Sequence, residues 1–316
     1  MFVPSIDCGG HRCEEKEKYN HSASSTYYDN GTIKQVQYSG IFAYGKESVD
    51  NLNLGSGLNI PDQHFVDIKY YETVWPDFEV TLFDSVLGLA VEQPWKSGTA
   101  PSLQSPFVNM IENGILDSNM FSIILPTDGR EGDIMFGGYN SSLISGNLIT
   151  HPLYPSNTRQ WQIEADSVLM YGKTAFGSYG TLVNESLAEH VAIVLTGSPI
   201  LAFPSKIGDA LMSHFNWTYN SCLHANVISC EDVSSLPTLT LQLGGHEYEL
   251  SGEDYVMRFL APECVDFGVQ CLPAIDSIPE WGLPDGLPKN FIIIGSSFLR
   301  KVYSVFDWDQ KTIGCE

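Results

Sequence analysis

The sequence predicts an all-β protein with few, short helices, and three observations carry that expectation. Short apolar or alternating runs recur along the chain. Clusters of Gly, Pro, Asn and Asp separate them, and sustained helical periodicity is scarce. In order, strands are expected over 83–90 (FDSVLGLA), 121–125, 134–138, 239–243, 291–295 and 303–307. Helices are expected over 105–113 (SPFVNMIEN), over 204–215 (PSKIGDALMSHF), and as a single turn at 296–301. The stretch PEWGLPDGLP, at 279–288, reads as an exposed loop between strands.

Bulk composition narrows the function classes. A chain of 316 residues is too long for one small core and fits two lobes or one large domain. With 43% hydrophobic and 12% aromatic residues, it can fill a sizeable interior. No run of about 18 apolar residues occurs, so no membrane span is expected. The opening MFVPSIDCGG has neither a basic segment nor a long apolar run, so no signal peptide is visible. The net charge of −22, from 38 acidic and 16 basic residues, disfavours nucleic acid and anionic membranes as partners. It suits a secreted surface, or an acidic compartment where carboxylates become neutral and self-repulsion falls.

The thirteen residues 192–204, AIVLTGSPILAFP, carry most of the functional information. Ala192, Ile193 and Val194 run into Leu195-Thr196-Gly197, a second apolar run follows, and Pro204 opens a helix. This is the pattern of a strand, a tight turn and a return strand. A faint internal echo accompanies it. FDSVLGLA at 83–90 and FIIIGSSFLR at 291–300 both end an apolar run in Gly, a residue that marks close backbone approach.

These tracts, taken in order, resemble the pepsin-like aspartic peptidases. Residues 192–204 resemble the active-site loop that the family writes as apolar residues, Asp-Thr-Gly, then more apolar residues. Phe2-Val3-Pro4-Ser5 resembles the strand after the first Asp-Thr-Gly-Ser-Ser. Tyr19-Asn20 with Ser24-Ser25-Thr26-Tyr27 matches a further tract, and Phe83-Asp84 through Leu87-Gly88-Leu89-Ala90 matches Phe-Asp-Gly-Ile-Leu-Gly-Leu-Ala. Gly137-Gly138-Tyr139-Asn140, Trp161-Gln162-Ile163, Ser235-Leu236-Pro237, Ile294-Gly295 and Phe298-Leu299-Arg300 follow in family order. The resemblance implies a bilobal acid-protease fold, with an N-terminal lobe over 1–150 and a C-terminal lobe over 151–316. It implies no cofactor and no metal, a monomer, and peptide-cleft positions at Tyr38, Phe83, Ile193 and Ser198. It also implies a Cys8–Cys13 disulfide and, next, Cys230–Cys264, with Cys271 as an alternative partner. Cys222 and Cys315 stay unassigned, and seven cysteines leave at least one unpaired within the chain.

Three departures from the family pattern bear on activity. The chain is expected to begin downstream of the first Asp-Thr-Gly, so the opening strands of the N-terminal lobe are expected to be missing. The second aspartate position holds Leu195. The flap is shortened, because Tyr38-Ser39-Gly40-Ile41 runs straight through. The family's hydrolysis uses two carboxylates about 3 Å apart that share a proton and hold a water, their pKa values driven apart by like charge. Leucine can neither accept a proton nor bind that water. Losing one acid–base partner costs about 10²- to 10⁴-fold in rate. Neither Asp84 nor Asp307 is expected to substitute.

No G-x-S-x-G, H-E-x-x-H, C-x-x-C, P-loop or G-x-G-x-x-G motif occurs. Asn-x-Ser/Thr acceptors stand at Asn20, Asn30, Asn140, Asn184 and Asn216, and favour passage through a secretory route. The expectation is a secreted or lumenal pepsin homologue, extracellular or in an acidic vacuolar or lysosomal compartment. It is expected to be a pseudopeptidase that binds peptide or protein. Two alternatives stand beside it: an active aspartic endopeptidase represented by a truncated or altered sequence, and a non-enzymatic surface glycoprotein.

Overall fold

The computed structural model describes the chain apart from residues 15, 39–40, 74–82, 91–102, 128–130, 159, 224, 261–268 and 279–287. It divides into two compact units, Met1–Asp117 and Ser118–Glu316.

The first unit holds β1 (Phe2–Pro4), β2 (Tyr28–Tyr38), β3 (Ile41–Asn53), β4 (Asn59–Thr73) and α1 (Pro106–Glu112). The strands form one sheet in the order β1-β4-β3-β2. β1 lies parallel to β4, and the rest is an antiparallel meander. Its core gathers Phe2, Cys8, Cys13, Ala43, Val66, Ile68, Tyr71 and Leu103, with Val36, Phe83 and Val86 against them. α1 begins as a helix should: the Ser105 side chain accepts from the Val108 N–H, and Pro106 occupies the first turn, where no N–H is needed.

The second unit holds β5 (Met120–Ile124), β6 (Asp133–Phe136), β7 (Ile149–Pro152), β8 (Gln162–Lys173), β9 (Tyr179–Val194), β10 (Leu201–Pro204) and α2 (Ser205–Met212). The strands β11 (Thr218–Asn220), β12 (Ala225–Val227), β13 (Thr238–Leu243) and β14 (His246–Leu250) follow, then α3 (Gly252–Tyr255), β15 (Val256–Leu260), β16 (Val269–Pro273) and β17 (Ile275–Ile278). β18 (Phe291–Ile294), α4 (Ser296–Leu299), β19 (Ser304–Asp307) and β20 (Thr312–Cys315) close the chain. A seven-stranded sheet runs β14-β13-β8-β9-β18-β10-β17, and a five-stranded sheet runs β6-β5-β19-β20-β7. Residues 118–150, placed with the N-terminal lobe in the expected division, enter this second sheet beside β19 and β20. Phe121, Trp161 and Phe306 pack ring against ring, with Phe121 and Phe306 stacked 4.6 Å apart.

The fold is all-β with short helices, as expected. The run 83–90 is a correction, because it is not a strand. Val86 makes one antiparallel bridge to Phe2, and the Phe83 carbonyl accepts from Lys16 Nζ at 2.6 Å instead of joining a ladder.

The internal echo is geometric as well as sequential. In the first unit β1 lies parallel to β4, and Phe2 bridges Val86, two residues before Gly88. In the second unit β10 lies parallel to β17, and Ala202 pairs antiparallel with Ile293, two residues before Gly295. Pro4 and Pro204 occupy matching register positions, opposite Ile68 and Ile278.

Candidate functional site

The turn after β9 is built by three strands. β18 lies parallel to β9, with Val194 opposite Ile294, and antiparallel to β10, with Leu201 opposite Ile294. The chain leaving β9 must therefore pass over the end of β18 before returning as β10. The Leu195 N–H donates to the Ile294 carbonyl at 3.0 Å, and the Leu195 carbonyl accepts from Ser198 N–H at 3.1 Å.

The residues after β18 clamp the same turn. Ser296 N–H donates to the Ser198 carbonyl at 2.6 Å, and Ser297 N–H to the Pro199 carbonyl at 3.3 Å. The buried Ser297 hydroxyl donates to that Pro199 oxygen as well. Gly295 is required there: a Cβ would run into the Ser198 and Ile200 carbonyls. At Gly88, its counterpart in the echo, no described atom lies within 4 Å of such a Cβ.

The side chains divide into two layers. Leu195 is half-buried and packs, with Ile200 and Ile293, against Val191, Ile193, Ala202, Ile278 and Phe291. Thr196, Gly197 and Pro199 face outward, and Ser198 is half-buried, its hydroxyl accepting from Ile200 N–H at 3.4 Å. The turn offers hydroxyls and backbone groups to a ligand. It carries no carboxylate, so it has hydrogen-bonding capacity without an acid or base.

The remaining expected positions distribute as follows. Ile193 is buried in the apolar layer below the turn. Phe83 is half-buried on the first unit's core. Tyr38 ends β2 opposite Ile41, leaving two residues between the strands; its side chain, with Ser39 and Gly40, lies outside the described residues. Cys8 and Cys13 are joined. The expected Cys230–Cys264 bond is corrected: Cys230 is joined to Cys271, which β16 carries beside Ile228, and Cys264 lies outside the described residues. Cys222 is also disulfide-bonded, and Cys315 is a buried free thiol. All five glycan-acceptor asparagines are exposed.

Two polar centres in the first unit were not anticipated as centres. Asp50 accepts from Tyr19 OH, from the hydroxyls of Ser24 (3.0 Å) and Thr26 (2.5 Å), and from Asn51 N–H (2.7 Å). Burial opposes its ionisation, yet these donors together hold its carboxyl below the ordinary range. The Tyr19 and Ser24–Tyr27 tract thus has a structural task. The second centre surrounds Asp67, which is fully buried. Lys69 Nζ reaches Asp67 at 3.2 Å, Asp7 at 2.9 Å and the Ser5 hydroxyl at 2.8 Å. Burial would lower the lysine's pKa, but Asp7 and Asp67 raise it, so this is a held ion cluster and not a nucleophile. Among the described residues no group of three or more His, Cys, Asp or Glu could hold a metal ion.

The eukaryotic aspartyl protease profile matches residues 1–316. Vacuolar protease A of Neurospora crassa is 30% identical over 314 residues, which cover 99% of this chain and 71% of that protein. Cathepsin D of Dictyostelium discoideum is 30% identical, covering 99% of this chain and 76% of its own. Pepsin A of the dog, Canis lupus familiaris, is 28% identical, covering 99% and 74% respectively. The profile spans both units, including the strand–turn–strand around Leu195, and the chain belongs to the eukaryotic aspartyl protease family.

Proposed function

We propose that this protein is a pepsin-like pseudopeptidase: it binds peptide or protein at the turn that follows β9 and does not hydrolyse it. The observation that carries this reading is Leu195. By its resemblance to the family's active-site loop it stands where an aspartate is expected, and its side chain lies in an apolar layer. The exposed Thr196 and Gly197 and the half-buried Ser198 supply hydrogen bonds for an extended peptide backbone. No proton acceptor lies within residues 191–204.

A secreted or lumenal setting is part of the proposal. Exposed acceptors at Asn20, Asn30, Asn140, Asn184 and Asn216, together with disulfides, support it. Among the described residues no helix is long and apolar enough to cross a membrane.

The test is cleavage of denatured globin by purified protein between pH 3 and pH 6. No cleavage is expected, while an extended peptide library is retained. Cleavage abolished by a statine-type inhibitor would overturn the reading. It would favour instead an active endopeptidase whose transcript encodes Asp at position 195 and an upstream Asp-Thr-Gly. That second reading has one observation in its favour: the relatives above are named as proteases.

A further inference from the structure

The hairpin of β8 and β9 outruns its neighbours. β13 last pairs with β8 at Thr238 opposite Tyr171, and β18 pairs with β9 only from Val191 to Val194. The β8–β9 ladder itself continues to Lys173 opposite Tyr179. Its root is fixed, since a Cβ on Gly172 would meet the Pro237 ring at 2.9 Å. Beyond that root the hairpin end stands clear of the sheet.

This end is aromatic and uncharged. Phe176, in the connecting loop, is 98% exposed, and Tyr179 and Tyr171 are 70% and 45% exposed. The two tyrosine rings stack 6.4 Å apart, one step below the phenylalanine. From 174 to 184 no residue is charged, in a chain with 38 acidic residues, and the flanking charge on the β8 side is the cation Lys173. The loop also satisfies much of its own backbone. Thr174 N–H donates to the Ser178 carbonyl at 2.7 Å, Gly177 N–H to the Thr174 carbonyl at 2.9 Å, and the Thr174 and Ser178 hydroxyls are 3.1 Å apart.

We propose that this hairpin end is a membrane-interface anchor that seats Phe176 among the acyl chains of a zwitterionic bilayer. The layering follows the chemistry of that boundary. An apolar ring stands at the apex, amphipathic tyrosines sit at headgroup depth, and a lysine beside them can reach phosphate. Internally bonded backbone lowers the cost of leaving water. A convex apex with one fully exposed ring suits a lipid surface, which needs no preformed pocket, better than a protein partner, which does. The acidic body restricts the surface to neutral lipid, because an anionic leaflet repels it.

The experiment is flotation of the full chain with phosphatidylcholine vesicles, comparing wild type with Phe176→Ser and with Phe176→Ser/Tyr179→Ser. Wild type is expected to float. The single change should weaken partitioning about tenfold, and the double change further, as expected for losing exposed rings that only lipid covers. Tyr28→Ser, an exposed aromatic of the first unit, should float like wild type. Bromolipid should quench the indole of Phe176→Trp. Phe176→Ser floating as well as wild type would overturn the proposal. So would a failure of wild type to float at millimolar lipid, which would leave the apex as a protein-docking surface.

Discussion

At position 195 a hydrocarbon side chain lies against Val191, Ile193, Ala202, Ile278 and Phe291, while its backbone is held by Ile294 and Ser198. Those two facts separate the frame of the turn from its chemistry: the frame is set by main-chain bonds in which the Leu195 side chain takes no part. An aspartate there would face an apolar layer with no cationic partner within 191–204. Burial would raise its pKa, so the destabilising charged form would predominate at neutral pH and fade in acid. Leu195→Asp is therefore expected to lower stability by about 1–3 kcal/mol at pH 7, with a smaller loss at pH 4. Urea denaturation at the two pH values measures both numbers, and the variant should gain no peptidase activity. Equal stability to wild type at pH 7 would show that 195 is solvated, contrary to its packing. Asp50 teaches the reverse lesson, since its carboxylate is buried at low cost because Tyr19, Ser24, Thr26 and Asn51 all donate to it. The tract supplying three of those donors was legible in the sequence, but their shared acceptor, at least 24 residues away along the chain, was not.

Among the elements, the turn-and-strand assembly of β9, β18 and β10 depends on Gly295. A methyl group at this position would meet the Ser198 and Ile200 carbonyls, both main chain and unable to swing away. Gly295→Ala is expected to cost about 1–3 kcal/mol, the range for overpacking a filled site. Hydrogen exchange should rise at Leu195, Ser198 and Ser296, whose N–H groups pin the turn. Unchanged protection at those amides would mean that the crossing is looser than its hydrogen bonds indicate. This glycine was legible because an apolar run ending in Gly announces close backbone approach. So were β5, β6, β13, β18 and β19, whose apolar residues are bounded by turn formers. The run 83–90 reads the same way but forms only the Phe2–Val86 bridge, because ladder formation needs a neighbour in register and Phe83 gives its carbonyl to Lys16. The long strands β8 and β9 were missed. In β9 only Val183, Leu187 and the last four residues are buried, and Asn184, Glu185, Ser186 and Glu189 break its alternation. Of the cysteine pairs, Cys8–Cys13 is joined as the resemblance implies, but for Cys230 the sequence left Cys264 and Cys271 both open, and only the placement of β16 beside Ile228 selects Cys271.

Across the molecule, a net charge of −22 relaxes as pH falls, because protonating carboxylates relieves self-repulsion. One buried group in the second unit works against that trend. His151 on β7 is 1% exposed, and its Nε2 is 2.6 Å from Tyr248 OH on β14, so it joins the five-stranded sheet to the seven-stranded one. The buried Cys315 thiol on β20 also acts electrostatically on Tyr248. The His246 ring stands edge-on to His151 at 5.4 Å, Asp166 acts on it from β8, and its Nδ1 has no hydrogen-bond partner. Burial first, then the His246 charge, lowers its pKa from 6.5 to about 4, against a smaller opposing pull from Asp166. The unfolded chain therefore takes up a proton near pH 6.5, whereas the folded chain declines it until about pH 4. More protons bound in the unfolded state means that stability falls as pH falls across that window, by at most about 3 kcal/mol, and no further below it. His151→Gln keeps an amide nitrogen near the Nε2 position for Tyr248 and removes the titration. Its unfolding free energy should lose less than wild type does between pH 7 and pH 4, the difference between the two profiles being the histidine's share. Parallel profiles would mean that His151 is protonated in the folded protein well above pH 4, and that the packing between β7 and β14 admits water.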